Sequence, residues 1–259
     1  KRGGRCEGML LEVVEHSKLE TAEDVCPHFG ICGGCLYQPI PYEEQLAIKE
    51  KQVRSLLDAV CPEYEFEGIL GSPLVQGYRN KMEFSFGDEV KDGPMSLGMH
   101  KRGSFYDVVT TGECHIVHPD FCKILVCTKE YFEEKKVGFY KKMQHTGYLR
   151  HLLVRRAIKT GEILVDLITT TQTDTFEGTE EALLRGWTER LQALPMEGSF
   201  AGILHTKNDT LADAVKDEGH SVRTRAFLRR AFRAAVPDLA VFFFPDELIG
   251  RGGTVRENA

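Results

Sequence analysis

Three cysteines fall within ten residues in the stretch CPHFGICGGCLYQ, Cys26 to Gln38, spaced C-x5-C-x2-C with Gly33 and Gly34 before the last. Thiolates are soft anionic ligands, so the grouping points to a metal centre. Zinc modules usually pair two short C-x2-C units, and a second pair is missing here. Three close thiolates with one remote partner suit a cubane iron–sulfur cluster, which takes four. Gly33 and Gly34 lack side chains, so their backbone N–H groups can approach cluster sulfides closely. The remote ligand has four candidates, Cys61, Cys114, Cys122 and Cys127. Cys122 and Cys127 sit in an apolar helical stretch, where a buried structural thiol is the plain reading. Cys61 adjoins Pro62 at a helix end. Cys114, in the loop TGECHIVHP, follows a run of strands from which the chain can fold back on the first loop, and it is the choice. Zinc and inert buried thiols remain the alternatives, and a disulfide is the weakest of all. His28 reads as a loop histidine without a metal role.

The elements that must hold this loop follow from periodicity. The chain has 259 residues, 42% hydrophobic and 28% charged, which describes a soluble globular protein. A net charge of −6 argues against nucleic-acid binding by the whole surface, though not by a local basic groove. No apolar run approaches the roughly 20 residues that span a bilayer. Eight cysteines without a secretion signal suggest a reducing, cytoplasmic compartment. A helix is expected from Pro41, with Leu46, Val53, Leu57 and Val60 near one face. Strands are expected at 78–87, 95–101 and 104–109, then a helix after Pro119. The segments 149–158 and 161–171 flank Lys159-Thr160-Gly161 as a hairpin. A second amphipathic helix follows with Thr179 as its cap, and 199–206 closes as a strand. The fold class is α+β with mixed or antiparallel pairing.

Four segments together, CPHFGICGGCLYQ, YRNKMEFSFG, HKRGSFYDVV with ECHI, and LRHLLVRRA with TGEILVDLITT, resemble the uracil-C5 RNA methyltransferases, most closely their bacterial ribosomal-RNA branch. The resemblance runs from Lys1 to about Gly219. It implies a 4Fe–4S cluster on Cys26, Cys32, Cys35 and Cys114, and S-adenosylmethionine as the methyl donor. It also implies a uridine of 23S ribosomal RNA as substrate, and a monomer without membrane contact. It divides the chain into a last TRAM-like strand (1–14), the iron–sulfur loop (15–40) and a central RNA-facing α+β domain (41–219). Arg79, Lys81, His100, Lys101, Arg102, Arg155 and Arg156 are the candidate RNA contacts, because cationic side chains supply the sequence-independent part of binding.

The family's chemistry needs a cysteine nucleophile, a carboxylate base and a Rossmann-like domain. None of those motifs is found, so no catalytic or S-adenosylmethionine-contacting residue is assigned, and the Rossmann-like catalytic domain is expected to be absent and the chain inactive alone. Residues 1–220 carry 16 Lys and 10 Arg, whereas 221–259 carry seven Arg and no Lys. Synonymous codons for His220–Ala259 can be chosen so that a one-nucleotide shift yields a family-like continuation containing F-F-Q-T-N. The tail 220–259 is therefore expected to be out of frame. The leading reading is a fragment of an RNA uridine-C5 methyltransferase, and the alternative is a non-catalytic iron–sulfur RNA-binding module or a disrupted gene product.

Overall fold

The computed structural model describes residues 12–61 and 63–211, so most of the TRAM-like strand and the whole 220–259 tail lie outside the described residues. Helix α1 (Tyr42–Asp58) precedes strands β1 (Lys81–Asp88), β2 (Met95–His100) and β3 (Val108–Thr110). Helix α2 (Pro119–Glu134) leads to the hairpin β4 (Leu149–Arg156) and β5 (Glu162–Thr169), followed by α3 (Glu180–Gln192) and β6 (Ser199–Lys207). The strands form one six-stranded sheet in the order β3-β2-β1-β4-β5-β6. Every pairing is antiparallel except β5–β6, which is parallel with α3 as its crossover.

Most expected elements fall within a few residues of their places, with two differences. The strand expected at 104–109 is only β3, because the chain turns first. Gly103 takes a positive φ of 76°, Lys101 N–H bonds Asp107 O at 2.9 Å, and Ser104 Oγ accepts the N–H groups of Tyr106 and Asp107. That turn leaves Phe105 and Tyr106 exposed. Helix α1 forms as expected, yet none of its residues is buried, so its apolar stripe contributes nothing to the core.

The core lies between the sheet and α2 with α3. The α3 side chains Leu183, Trp187 and Leu191 are buried at helical spacing, against Phe121, Ile124, Leu125 and Phe132 of α2. Trp187 donates its indole N–H to Thr128 Oγ1 at 3.1 Å, and Tyr131 its hydroxyl to Leu183 O at 2.7 Å. Gly186 lies directly beneath that hydroxyl, where a β-carbon would collide. Strand β1 is shared along its length, since 81–85 pairs with β4 and 85–88 with β2. Gly87 lets β3 pack close to β1, because a β-carbon there would come within 2.6 Å of the Val108 side chain.

Helix α2 is fixed at its start. Pro119 occupies the first turn, His118 Nδ1 accepts the Asp120 N–H, and fully buried Asp120 accepts the N–H groups of Glu197 at 3.1 Å and Gly198 at 2.8 Å. Burial alone would raise the Asp120 carboxyl, but the two backbone donors, with His118 and Lys123 nearby, hold it below its usual value. A depressed folded value stabilises above the unfolded carboxylate range and loses that stabilisation as pH falls through the folded value. Asp120→Ala is expected to lower unfolding free energy by about 1–3 kcal/mol near pH 7. Urea titrations at pH 7 and pH 3 check this, and the gap between the two proteins should narrow at the lower pH.

Candidate cluster loop and nucleic-acid interface

The Cys26–Cys35 loop is stitched to the sheet by backbone. Cys32 bridges Lys101 in antiparallel fashion, Gly33 N–H bonds His100 O at 2.9 Å, and Arg102 N–H bonds Ile31 O at 2.8 Å. A β-carbon on Gly33 would meet His100 O at 3.0 Å, so this close approach favours glycine. Gly34 turns its N–H toward Cys32 Sγ at 3.4 Å. The second wall is the 113–117 segment, which runs along 77–79 through Gly77 N–H to His115 O and Arg79 N–H to Ile116 O.

The walls meet at the cysteines. Buried Cys26 donates its thiol to Glu113 O at 3.7 Å, and its N–H reaches Gln38 Oε1 at 2.8 Å. His28 Nε2 accepts the Glu113 N–H at 3.2 Å, and burial lowers the pKa of that ring, in keeping with an acceptor nitrogen. Burial pushes Cys32 and Cys35 up, with their neighbouring thiols adding to the rise. It pushes Cys114 up to about 11, although the N–H groups of Ile116 and Val117 point the other way. Cys26 is the common neighbour, close enough to act electrostatically on Cys32, Cys35, Cys114 and Cys122 alike.

These thiols converge without closing: among the described residues no three His, Cys, Asp or Glu side chains are placed to hold a metal ion together. The donor chemistry nonetheless fits a thiolate-ligated cluster. Backbone N–H groups of Gly34, Ile116 and Val117 face sulfur, the donors that a thiolate ligand accepts. Among the remaining cysteines, Cys61 is exposed, Cys127 is buried within α2, and Cys122 donates its thiol to Cys114 O at 3.8 Å.

The seven basic candidates form two groups joined by this loop. Arg79, Lys81, Arg155 and Arg156 gather where β1 starts and β4 ends, with Lys81 directly opposite Arg155. Like charges facing each other across strands cost stability, and Glu83 relieves Lys81 only at 3.7 Å. His100, Lys101 and Arg102 lie at the end of β2. Arg102 donates to Cys35 O at 2.8 Å and stacks 5.5 Å over the Phe29 ring, while Lys101 approaches Glu89 at 3.9 Å. Cys35 feels the charge of Arg79 and Cys32 that of Arg102, so both groups border the cysteine loop. Sequence reasoning missed His28 and Gln38 as the residues that position this loop. Their types carry no motif, and only the return of the chain at Glu113 gives His28 its partner.

No family model matches the chain. An uncharacterised RNA methyltransferase of Clostridium acetobutylicum is 47% identical over 218 residues, covering 84% of this chain and 46% of the relative. One from Caldanaerobacter subterraneus subsp. tengcongensis is 46% identical over 82% of this chain and 45% of its own length. The chain thus spans about half the length of the curated relatives it matches. Among solved structures, the Pyrococcus abyssi tRNA (uracil-54, C5)-methyltransferase in complex with S-adenosyl-L-homocysteine matches with a TM-score of 0.54 and 24% identity, over 78% of this chain and 41% of that one. That likeness corrects the fold expectation. The described fold is similar to that of this solved structure, and within a sheet that is mixed, one of the two expected pairings, β5-α3-β6 is a β-α-β crossover, the unit from which Rossmann-like sheets are built. The expected absence of a catalytic methyltransferase domain, and the inactivity inferred from it, do not stand.

Proposed function

We propose that the chain supplies the cluster loop and RNA-facing surface of an S-adenosylmethionine-dependent RNA uracil-C5 methyltransferase acting on a uridine of 23S ribosomal RNA. The observation that carries the reading is the meeting of the cysteine loop with both basic groups, through Arg79 and Arg102. Supporting it are the relatives' names as RNA methyltransferases and the S-adenosyl-L-homocysteine bound in the similar solved structure.

In this reading Cys26, Cys32, Cys35 and Cys114 hold a 4Fe–4S cluster. When bound, it supplies four metal–thiolate bonds that lock the 26–35 loop to the 113–117 wall. The chain's own residues then do the positioning. His28 and Gln38 fix the loop backbone, Arg102 ties Cys35 to the β2 end, and the exposed cations Arg79, Lys81, Arg102 and Arg155 face phosphates. Arg79→Gln combined with Arg102→Gln is expected to weaken single-stranded RNA binding several-fold. The slope of log affinity against log salt should become shallower by about 0.7 for each phosphate that is no longer neutralised. Fluorescence anisotropy across a salt series measures both, and an unchanged slope would remove these residues from the interface.

A further inference from the structure

A cavity of about 530 Å³ opens beside the interface, between the β1–β2 turn, the 101–107 turn and the 139–144 segment. Its volume lies in the range of small-ligand pockets, roughly 300–1,000 Å³, and it admits one extruded nucleotide but not a duplex. Three features give it a chemical character. Its walls are aromatic, with Tyr106, Phe139 and Tyr140 among the lining residues. Lys91 and Lys141 bring positive charge, while Asp88 and Asp107 bring hydrogen-bond acceptors. The walls are also held in place. Ser104 Oγ caps the turn that carries Tyr106, and the Lys141–Asp92 ion pair at 2.7 Å clamps the 139–144 segment to the β1–β2 turn.

Tyr106 is the telling residue. It is 59% exposed on a turn held by the Lys101–Asp107 and Ser104–Lys101 backbone bonds and by Ser104 Oγ, so its ring adds little to the core while its backbone is held in place. A preorganised aromatic face with cations beside it and acceptors within reach matches an unstacked base. The ring stacks, a carboxylate accepts a base N–H, and a lysine meets the phosphate.

We propose that this cavity binds one unpaired nucleotide of the RNA substrate, stacked on Tyr106, next to the phosphate-binding cations. The proposal rests on the RNA reading above and deepens it. The test uses the full chain and a uridine-containing single-stranded RNA decamer carrying one photoreactive 5-iodouridine, with affinity by anisotropy and cross-linked residues by mass spectrometry. Tyr106→Ala is expected to weaken binding about tenfold, the range set by loss of one stacked base. Tyr106→Phe should retain wild-type affinity, and cross-links should fall within 105–107 or 139–143. Wild-type RNA binding with cross-links elsewhere and an unaffected Tyr106→Ala would overturn the cavity assignment and leave the RNA reading standing. Absence of RNA binding by the wild-type chain at low salt would overturn both. Circular dichroism of the exposed-turn variants confirms that each is folded.

Discussion

With Cys114 changed to serine, anaerobically prepared protein is expected to lose its iron and its visible charge-transfer absorption, whereas Cys122→Ser retains both. The two thiols are neighbours and both are half-buried, so proximity alone does not separate them. What separates them is the surroundings of each sulfur. Cys114 sits on the wall that His28 and Cys26 tie to the 26–35 loop, with the Ile116 and Val117 N–H groups turned toward it. Cys122 lies in the first turns of α2 and donates its thiol back to Cys114 O. A serine hydroxyl is a harder ligand than a thiolate and is protonated at neutral pH, so it replaces a cluster thiolate poorly. Iron and acid-labile sulfide per chain, with far-UV circular dichroism to confirm folding, decide the matter. Full iron in Cys114→Ser would remove Cys114 from the ligand set, and loss in Cys122→Ser alone would put Cys122 in its place.

The largest expected change in stability comes from Trp187. Its side chain is 1% exposed, packs against Phe132 at a ring separation of 6.0 Å, and closes the junction between α3 and α2 with its hydrogen bond to Thr128. Trp187→Ala removes this filling and leaves a buried threonine hydroxyl without its donor. The expected loss is about 3–5 kcal/mol. Trp187→Phe keeps most of the volume and should cost distinctly less. Urea unfolding followed by circular dichroism compares the two. Equal losses would mean that the hydrogen bond, and not the packing, carries the effect.

What the amino-acid sequence makes legible here divides along the range of the interaction involved. Elements built by local rules stand where expected: Thr179 caps α3 by accepting the Ala182 N–H, Pro119 opens α2, and Gly161 at a positive φ closes the β4–β5 turn. The turn at 101–107 was hidden because the aromatic and β-branched residues Phe105, Tyr106, Val108 and Val109 favour a strand, while Gly103 and Ser104 impose the reversal. The exposed stripe of α1 is a second case, since periodicity reports amphipathicity but not whether a partner surface exists. Three ligand candidates were readable from their spacing. The fourth depends on the fold-back of 113–117, held by His28, and the supports of the site became visible only through the hydrogen bonds of His28 to Glu113 and of Gln38 to Cys26, spanning 85 and 12 positions. The parallel sense of the β5–β6 pair was hidden for the same reason, since it is made through a helix and leaves no local motif.

The most direct test is metal analysis of the wild-type chain purified without oxygen. Iron, sulfide and zinc are measured per chain alongside the visible spectrum. The account predicts about four irons with matching sulfide and broad visible absorption. Colourless, folded protein holding one zinc, or no metal at all, would contradict it.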